Sequence, residues 1–394
     1  MPVKKVLIDK ANRVYQMPPS IADYIPYRKK PRLRGHQNLI DLASFGWPCS
    51  YDTLPPLNQE DLKPASSEAL AELKEELASW MSATSGVKLA PDQEICVGGT
   101  ITSTVHDLST AYVDFGDVAL VPSLSVPLYR QAITVCGGEA ISYTVTADDG
   151  WRPSFDRIQT RLGHIARLLF LNNPHNPTGA VLGDKEIAEL IWAAGRANIL
   201  IINDAAYRSV SERTAPSLLA LEGGKKVGLE VNSFTYQFGM PALPFGFACG
   251  SRDIIQALKT VSRLRPVSIP SYFVSFALEA VRGYPSDNLN MVRKEFRKRA
   301  ADAERFLELL SLEKRSFDTI PFVWARIERR GSSVSAARAL YRRYGILSTP
   351  GTAFGDGGQG YLRFSLTPGS DAFEEASSRI KKKTSLLAVS RETA

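Results

Sequence analysis

The chain has 394 residues, 44% hydrophobic and 23% charged, a composition that supplies ample apolar material for a core. Its length suits two or three domains, or one large domain with an appendage, and no apolar run is long enough to span a bilayer. The net charge of +7 admits a nucleic-acid partner, but the basic runs around Arg293–Arg299 and Lys381–Lys383 sit in helical-looking stretches and read as solvated faces. No zinc-finger spacing or RNA-binding aromatic motif accompanies them.

The amino terminus carries lysines but no apolar stretch with a small-residue cleavage site, so it does not read as a secretory signal. Cys49, Cys96, Cys136 and Cys249 form no CxxC pair and suit thiols in a reducing cytoplasm. The scattered His36, His106, His164 and His175 give no zinc spacing.

Residues 1–50 are rich in Pro and basic side chains, with turns at Pro18–Pro19 and Trp47–Pro48. A helix is expected from Ser66 or Ser67 to Met81, with Leu70, Leu73, Leu77, Trp80 and Met81 on one face and a serine cap. Strands follow at Glu94–Val97 and Val118–Val121, then at Arg167–Leu171, an apolar run broken by Asn-Asn-Pro. Asp184 is placed to cap a helix whose face holds Ile187, Leu190, Ile191 and Ala194. Ile199–Ile202 is apolar throughout, as in a strand covered on both faces. Further strands fall at Glu230–Phe234 and Phe245–Cys249. Alternating strands and helices imply a mostly parallel sheet between helical layers, with ligands beyond the carboxyl ends of its strands. After about residue 275 a long helix (Asn288–Leu312), strand-like pieces (Phe322–Ile327, Tyr361–Leu366) and a closing helix (Ala372–Lys383) read as a smaller α/β unit. The division expected is therefore an arm and part of the small domain at 1–50, a large domain at 51–280 and a small domain at 281–394.

Two strand ends carry polar groups: Asn172–Asn173–Pro174–His175–Asn176–Pro177–Thr178–Gly179 and Asn203–Asp204–Ala205–Ala206–Tyr207. Each alone suits ordinary turn chemistry. Together, with Gly116–Asp117–Val118–Ala119–Leu120–Val121–Pro122–Ser123, Ser348–Thr349–Pro350–Gly351–Thr352–Ala353–Phe354–Gly355 and Tyr361–Leu362–Arg363–Phe364–Ser365, they resemble the class I/II aminotransferase family over nearly the whole chain. Arg13–Val14–Tyr15–Gln16–Met17–Pro18–Pro19 and Ile40–Asp41–Leu42 resemble the entry segment of its alanine and aromatic transaminase branch. The resemblance implies the fold-type I α/β fold, with a seven-stranded-type sheet flanked by helices plus a smaller α/β domain, and a homodimer.

It also assigns roles. Asn176 falls where the family touches the phenol oxygen of pyridoxal phosphate (PLP) and the substrate carboxylate. Asp204 falls opposite the pyridine nitrogen, whose protonation makes the ring an electron sink. Tyr207 falls where a tyrosine donates to the phenol oxygen, and Arg363 where a guanidinium grips the substrate carboxylate. Gly99 and Thr100 fall in the phosphate loop, with Thr102 in place of the common acid. Ser233 and Thr235 flank the lysine position.

That position holds Tyr236, the phosphate-clamping arginine position holds Pro244, and Val126 stands where an aromatic stacks on the ring. A phenol forms no Schiff base and, with an ordinary pKa of about 10, is a poor base near neutrality. The resemblance thus implies no covalent PLP and no ordinary transamination. Asp204, at a covered strand end, needs a donor or cation facing it, either from a ligand or from an internal arginine. The readings are a repurposed biosynthetic enzyme acting on an amino-acid-like carboxylate with Tyr236 as donor, an enzyme using non-covalent PLP or its amine form PMP, or a non-catalytic ligand-binding or partner-subunit protein. An apolar, sealed pocket would favour the last. No membrane or nucleic-acid partner is expected, and the location expected is cytoplasmic.

Overall fold

The structure, a computed structural model, describes residues 9–25, 39–44, 58–154, 165–240, 245–265, 268–285, 287–315, 320–327 and 331–392. Trp47–Pro48, Cys49, His36, His164 and Pro244 lie outside the described residues. A two-residue strand, β1 (Ile40–Asp41), precedes the main sheet. That sheet comprises β2 (Ile95–Gly98), β3 (Val118–Pro122), β4 (Glu139–Tyr143), β5 (Ala166–Asn172), β6 (Leu200–Asp204), β7 (Gly228–Ser233) and β8 (Gly246–Gly250), in the order β2-β8-β7-β6-β5-β3-β4. The pairs from β4 to β7 are parallel, and β8 runs antiparallel to both its neighbours.

Period-2 alternation explains how an all-apolar strand serves two layers. On β5, Leu169 and Leu171 pack with Ile187, Leu190, Ile191 and Ala194 of the helix Asp184–Ala197. Leu168 and Phe170 point the other way, onto Val105, Leu108, Tyr129, Ile255 and Leu258 from three further helices. The sheet is therefore covered on both faces. Its strand order reverses beside β3, between β4 and β5, so the crevice beyond the carboxyl ends of β3 and β5 is where such a fold takes a ligand. The loops meet there: the His175 ring bonds the Leu124 carbonyl at 2.9 Å.

After β8 the chain builds a four-stranded antiparallel sheet from β9 (Leu312–Lys314), β10 (Phe322–Ile327), β12 (Thr349–Pro350) and β13 (Tyr361–Ser365), in the order β12-β13-β10-β9. β1 pairs in parallel with β11 (Ile346–Leu347). The helix Asp287–Leu309 lays Val292, Phe296, Ala303 and Phe306 against Phe322 and Phe364 of this sheet, and Phe373 of the closing helix joins the same core. The same core takes in Tyr207 and Val210, which brings β13 to the rim of the large sheet.

Several element limits differ from the sequence reading for local reasons. The helix expected to stop at Met81 spans Ser67–Ser85, because Gly86 takes the left-handed conformation (φ 68°) and its N–H closes onto Met81 and Ser82 carbonyls. Ser66 caps its start, accepting from the Ala69 N–H at 3.1 Å. Asp184 does not cap the next helix. Gly183 holds the cap position, and Glu186 takes its N–H at 2.6 Å. The long helix ends at Leu309 rather than Leu312, which belongs to β9. The last helix spans Ser370–Glu392. No helix among the described residues is long and apolar enough to cross a membrane.

Candidate functional site

The carboxyl ends of β5 and β6 are in register, with Asn172 opposite Asp204. Asn172 donates its side-chain amide to the Asp204 carbonyl at 2.8 Å and accepts the Asn176 N–H at 2.7 Å. This locks the loop after β5, so that the Asn176 side chain points along the rim. Its amide donates to the Tyr207 hydroxyl at 3.3 Å, and its carbonyl oxygen accepts from Arg363 at 3.2 Å. Arg363, on β13, also donates to the Ala43 carbonyl at 3.4 Å. Its guanidinium carbon lies 4.1 Å from the centroid of Phe322 and 4.8 Å from that of Phe354, which fixes the plane of the fork. Asn176, Tyr207 and Arg363 are thus linked directly, and all three are buried.

Asp204 is buried too. Burial raises its pKa to about 6, against the opposing hydrogen bonds from Tyr129 and the Ala206 N–H. The Tyr129 hydroxyl donates to it at 2.9 Å. The donor expected to face Asp204 is therefore present within the chain, as a fully buried phenol rather than an internal arginine. Tyr129 sits one residue into the helix Leu128–Cys136 and stacks on Phe170 at 5.1 Å. Sequence reading missed it. Its buried spacing with Ala132 and Ile133 is that of any core face, and only its place just beyond β3, at the crevice, marks it.

Tyr236 lies on the short helical turn Phe234–Gln237 that follows β7. Its ring packs against Tyr207 at 5.1 Å between centroids. Burial, then the neighbouring Tyr207, pushes its phenol well up, while Arg363 pulls it down. Tyr207 is raised by burial and by Asp204. Both phenols therefore stay protonated near neutrality and keep a proton to donate, while the Tyr207 hydroxyl accepts from Asn176. Burial lowers Arg363 to about 10, so it remains a cation. Burial lowers His175 to about 4, which leaves its ring neutral between Thr178 and Leu124.

The remaining residues form a second corner. Gly246 donates its N–H to the Gly99 carbonyl at 2.9 Å and stands opposite Ser233 in the sheet. A Cβ at Gly99 would lie 2.4 Å from the Ser103 hydroxyl, which would have to rotate away. The Thr100 hydroxyl accepts from the Ser103 N–H at 3.2 Å and so caps the helix Ile101–Tyr112. Thr235 is buried, and its carbonyl accepts the Met240 N–H at 3.1 Å. Thr102 and Val126 instead line a cavity of about 370 Å³ with Arg363.

No lysine stands between Lys226 and Lys259 in the chain. Lys226 precedes the amino end of β7, the end away from Ser233. Lys259 donates to the Asp92 carbonyl at 2.5 Å. Among the described residues no cluster of His, Cys, Asp or Glu could hold a metal ion.

A family model described as aminotransferase class I and II matches residues 58–380. The LL-diaminopimelate aminotransferase of Moorella thermoacetica is 30% identical over 392 residues, covering 95% of this chain and 98% of the relative. That of Halothermothrix orenii is 28% identical, with the same coverage of each. Among solved structures, substrate-bound BacF from Bacillus subtilis superposes with a TM-score of 0.82 at 25% identity, covering 95% of this chain and 98% of the other.

Proposed function

The chain belongs to the class I and II aminotransferase family, whose members depend on PLP, and we propose that it is a repurposed biosynthetic member. In this reading it acts on an amino-acid-like carboxylate by chemistry other than lysine-based transamination. The observation that carries the reading is Tyr236, placed against Tyr207 on the turn after β7, where the family resemblance puts the lysine.

The donor set supports it. PLP held as an imine needs an amine, and the stretch between Lys226 and Lys259 offers none. Tyr236 supplies a buried phenol, which donates a hydrogen bond but forms no imine. On the ring side, Val126 gives an aliphatic wall where the family has an aromatic. The residues present therefore do not fit covalently held PLP. What the chain's own groups can do is narrower. Arg363, held in plane by two aromatic rings, takes a carboxylate. In this reading the Tyr207 and Tyr236 phenols supply protons beside it, and Asn176 holds Arg363 and Tyr207 in place. Asp204, at about 6, holds or releases a proton near neutrality.

The names of the relatives specify an amino-acid substrate, LL-diaminopimelate, and support the biosynthetic part of the reading. A homodimer belongs to the same proposal.

The test is to add PLP to the purified protein, record the spectrum from 300 to 500 nm, reduce with borohydride and weigh the protein. We expect no imine band and no mass adduct. A PLP adduct on any lysine of the site would sink the reading. Tyr236→Lys combined with Pro244→Arg should gain both signals, and a colourless double variant would mean that the pocket differs from the family in more than these positions.

A further inference from the structure

Gln237 closes the short turn that carries Tyr236, and it is fully buried. Its side-chain amide donates to the Ala205 carbonyl at 2.8 Å and to the Asn232 side-chain oxygen at 2.6 Å. Its own oxygen accepts the Ser209 N–H at 3.2 Å and the Ser209 hydroxyl at 2.5 Å. Two donor and two acceptor places are thus filled, which is all that an amide side chain has. Two of the partners are backbone groups, and they fix which end of the amide faces which: an N–H must meet the Ala205 carbonyl and an oxygen the Ser209 N–H. Ala205 and Ser209 stand on either side of Tyr207 in the chain, and Asn232 lies on β7 ahead of the turn. One side chain therefore ties the turn of Tyr236 to both ends of the segment of Tyr207. Ser209 is held in turn from the helix Asp287–Leu309, where Arg293 donates to its carbonyl at 2.7 Å.

We infer that Gln237 is a positioning residue of the site, which aims the Tyr236 ring against Tyr207. The inference rests on the proposed use of Tyr236 as a proton donor and adds the group that places it. A single helical turn has little stability of its own, so four residues after β7 do not hold a phenol still unaided. Misplacing a reacting group by about 1 Å can cost on the order of 100-fold in rate, and the amide removes that freedom.

Fluorine NMR of the intact protein, with fluorotyrosine in place of tyrosine, tests this. The lines of Tyr236, Tyr207, Tyr143 and Tyr15 are assigned from single Tyr→Phe variants. In the parent, Tyr236 should keep its proton to higher pH than the exposed Tyr15. Gln237→Leu should shift or split the Tyr236 and Tyr207 lines and let Tyr236 titrate close to Tyr15, with the line of Tyr143, buried on β4, unmoved. Tyr143→Phe deletes a buried hydrogen bond to the Phe170 carbonyl and should leave Tyr236 and Tyr207 in place. Ser209→Ala removes one of the four bonds and should move the same two lines by less; it decides the matter if Gln237→Leu does not fold. Lines of Tyr236 and Tyr207 that stay put, or that move together with those of Tyr143 and Tyr15, would make Gln237 a packing residue and overturn the inference, leaving the chemistry proposed for Tyr236 standing. A lysine imine with PLP removes that chemistry instead, and it is read from absorbance and mass, not from these lines.

Discussion

Two buried carboxylates stand on neighbouring strands and are treated differently by their surroundings. Glu230 on β7 is fully enclosed. It accepts from the Leu218 N–H at 2.8 Å, the Ser217 hydroxyl at 3.0 Å and the Asn203 amide at 3.2 Å, and it pairs with Arg208 at 3.5 Å. Arg208 is in turn held by Ser85 at 2.7 Å and lies over Trp80. Asp204 on β6 has a phenol and one backbone N–H, and burial raises its pKa to about 6. A carboxylate ringed by four donors, one of them a cation, is an anchor. A carboxylate held by neutral donors at a strand end keeps its proton within reach of neutral pH. Burial alone does not separate structure from chemistry; the partners do.

The largest expected effect tests the anchor. Glu230→Gln strips the countercharge from Arg208 and should destabilise the protein by about 3–5 kcal/mol, the usual cost of breaking a buried pair, read from urea unfolding. Asp204→Asn should behave in the opposite way. The folded protein binds the Asp204 proton more tightly than the unfolded chain, so this group favours folding increasingly as pH falls from about 6 to about 4. Above that window the ionised carboxylate is a burden, and the variant lacks it. Relative to the parent, the variant should therefore gain on the order of 3 kcal/mol between pH 4 and pH 7. His175, lowered to about 4, contributes with the other sign as pH falls from 6.5. It is present in both proteins and drops out of the difference. An Asp204→Asn variant as damaged as Glu230→Gln at every pH would collapse the distinction. The smallest effect is that of Tyr129→Phe, about 1.5–3 kcal/mol near neutrality for one lost hydrogen bond to a carboxylate. Because that bond holds the Asp204 pKa down, its loss should also move the titration window upward, visible in the same pH series.

Sequence patterns made β5 and β6 legible, since short apolar runs cut off by turn-forming polar residues suit strands covered on both faces. Their polar ends, Asn176 and Asp204, were legible because such sheets bind ligands there. Arg363 was found through the family resemblance, not through its own surroundings. Its aromatic partners Phe322 and Phe354 were not found, because nothing local ties them to an arginine that lies far along the chain from Phe322 and on another element. Tyr129 was missed for the same reason: its partner lies 75 positions away. The antiparallel direction of β8 was also invisible, as hydropathy does not encode strand direction.

The pairing of β1 with β11 has a consequence for how the protein is made. Ile40 and Asp41 align with Ile346 and Leu347, and Leu42 accepts the Ser365 N–H at 2.7 Å. Ala43, whose carbonyl meets Arg363, belongs to the same stretch. These residues therefore wait for partners some three hundred positions later in the chain, a separation that slows closure. The parallel run from β3 to β7 can pair as it emerges, while β2 waits for β8, and the arginine's setting is completed only once synthesis has passed β13.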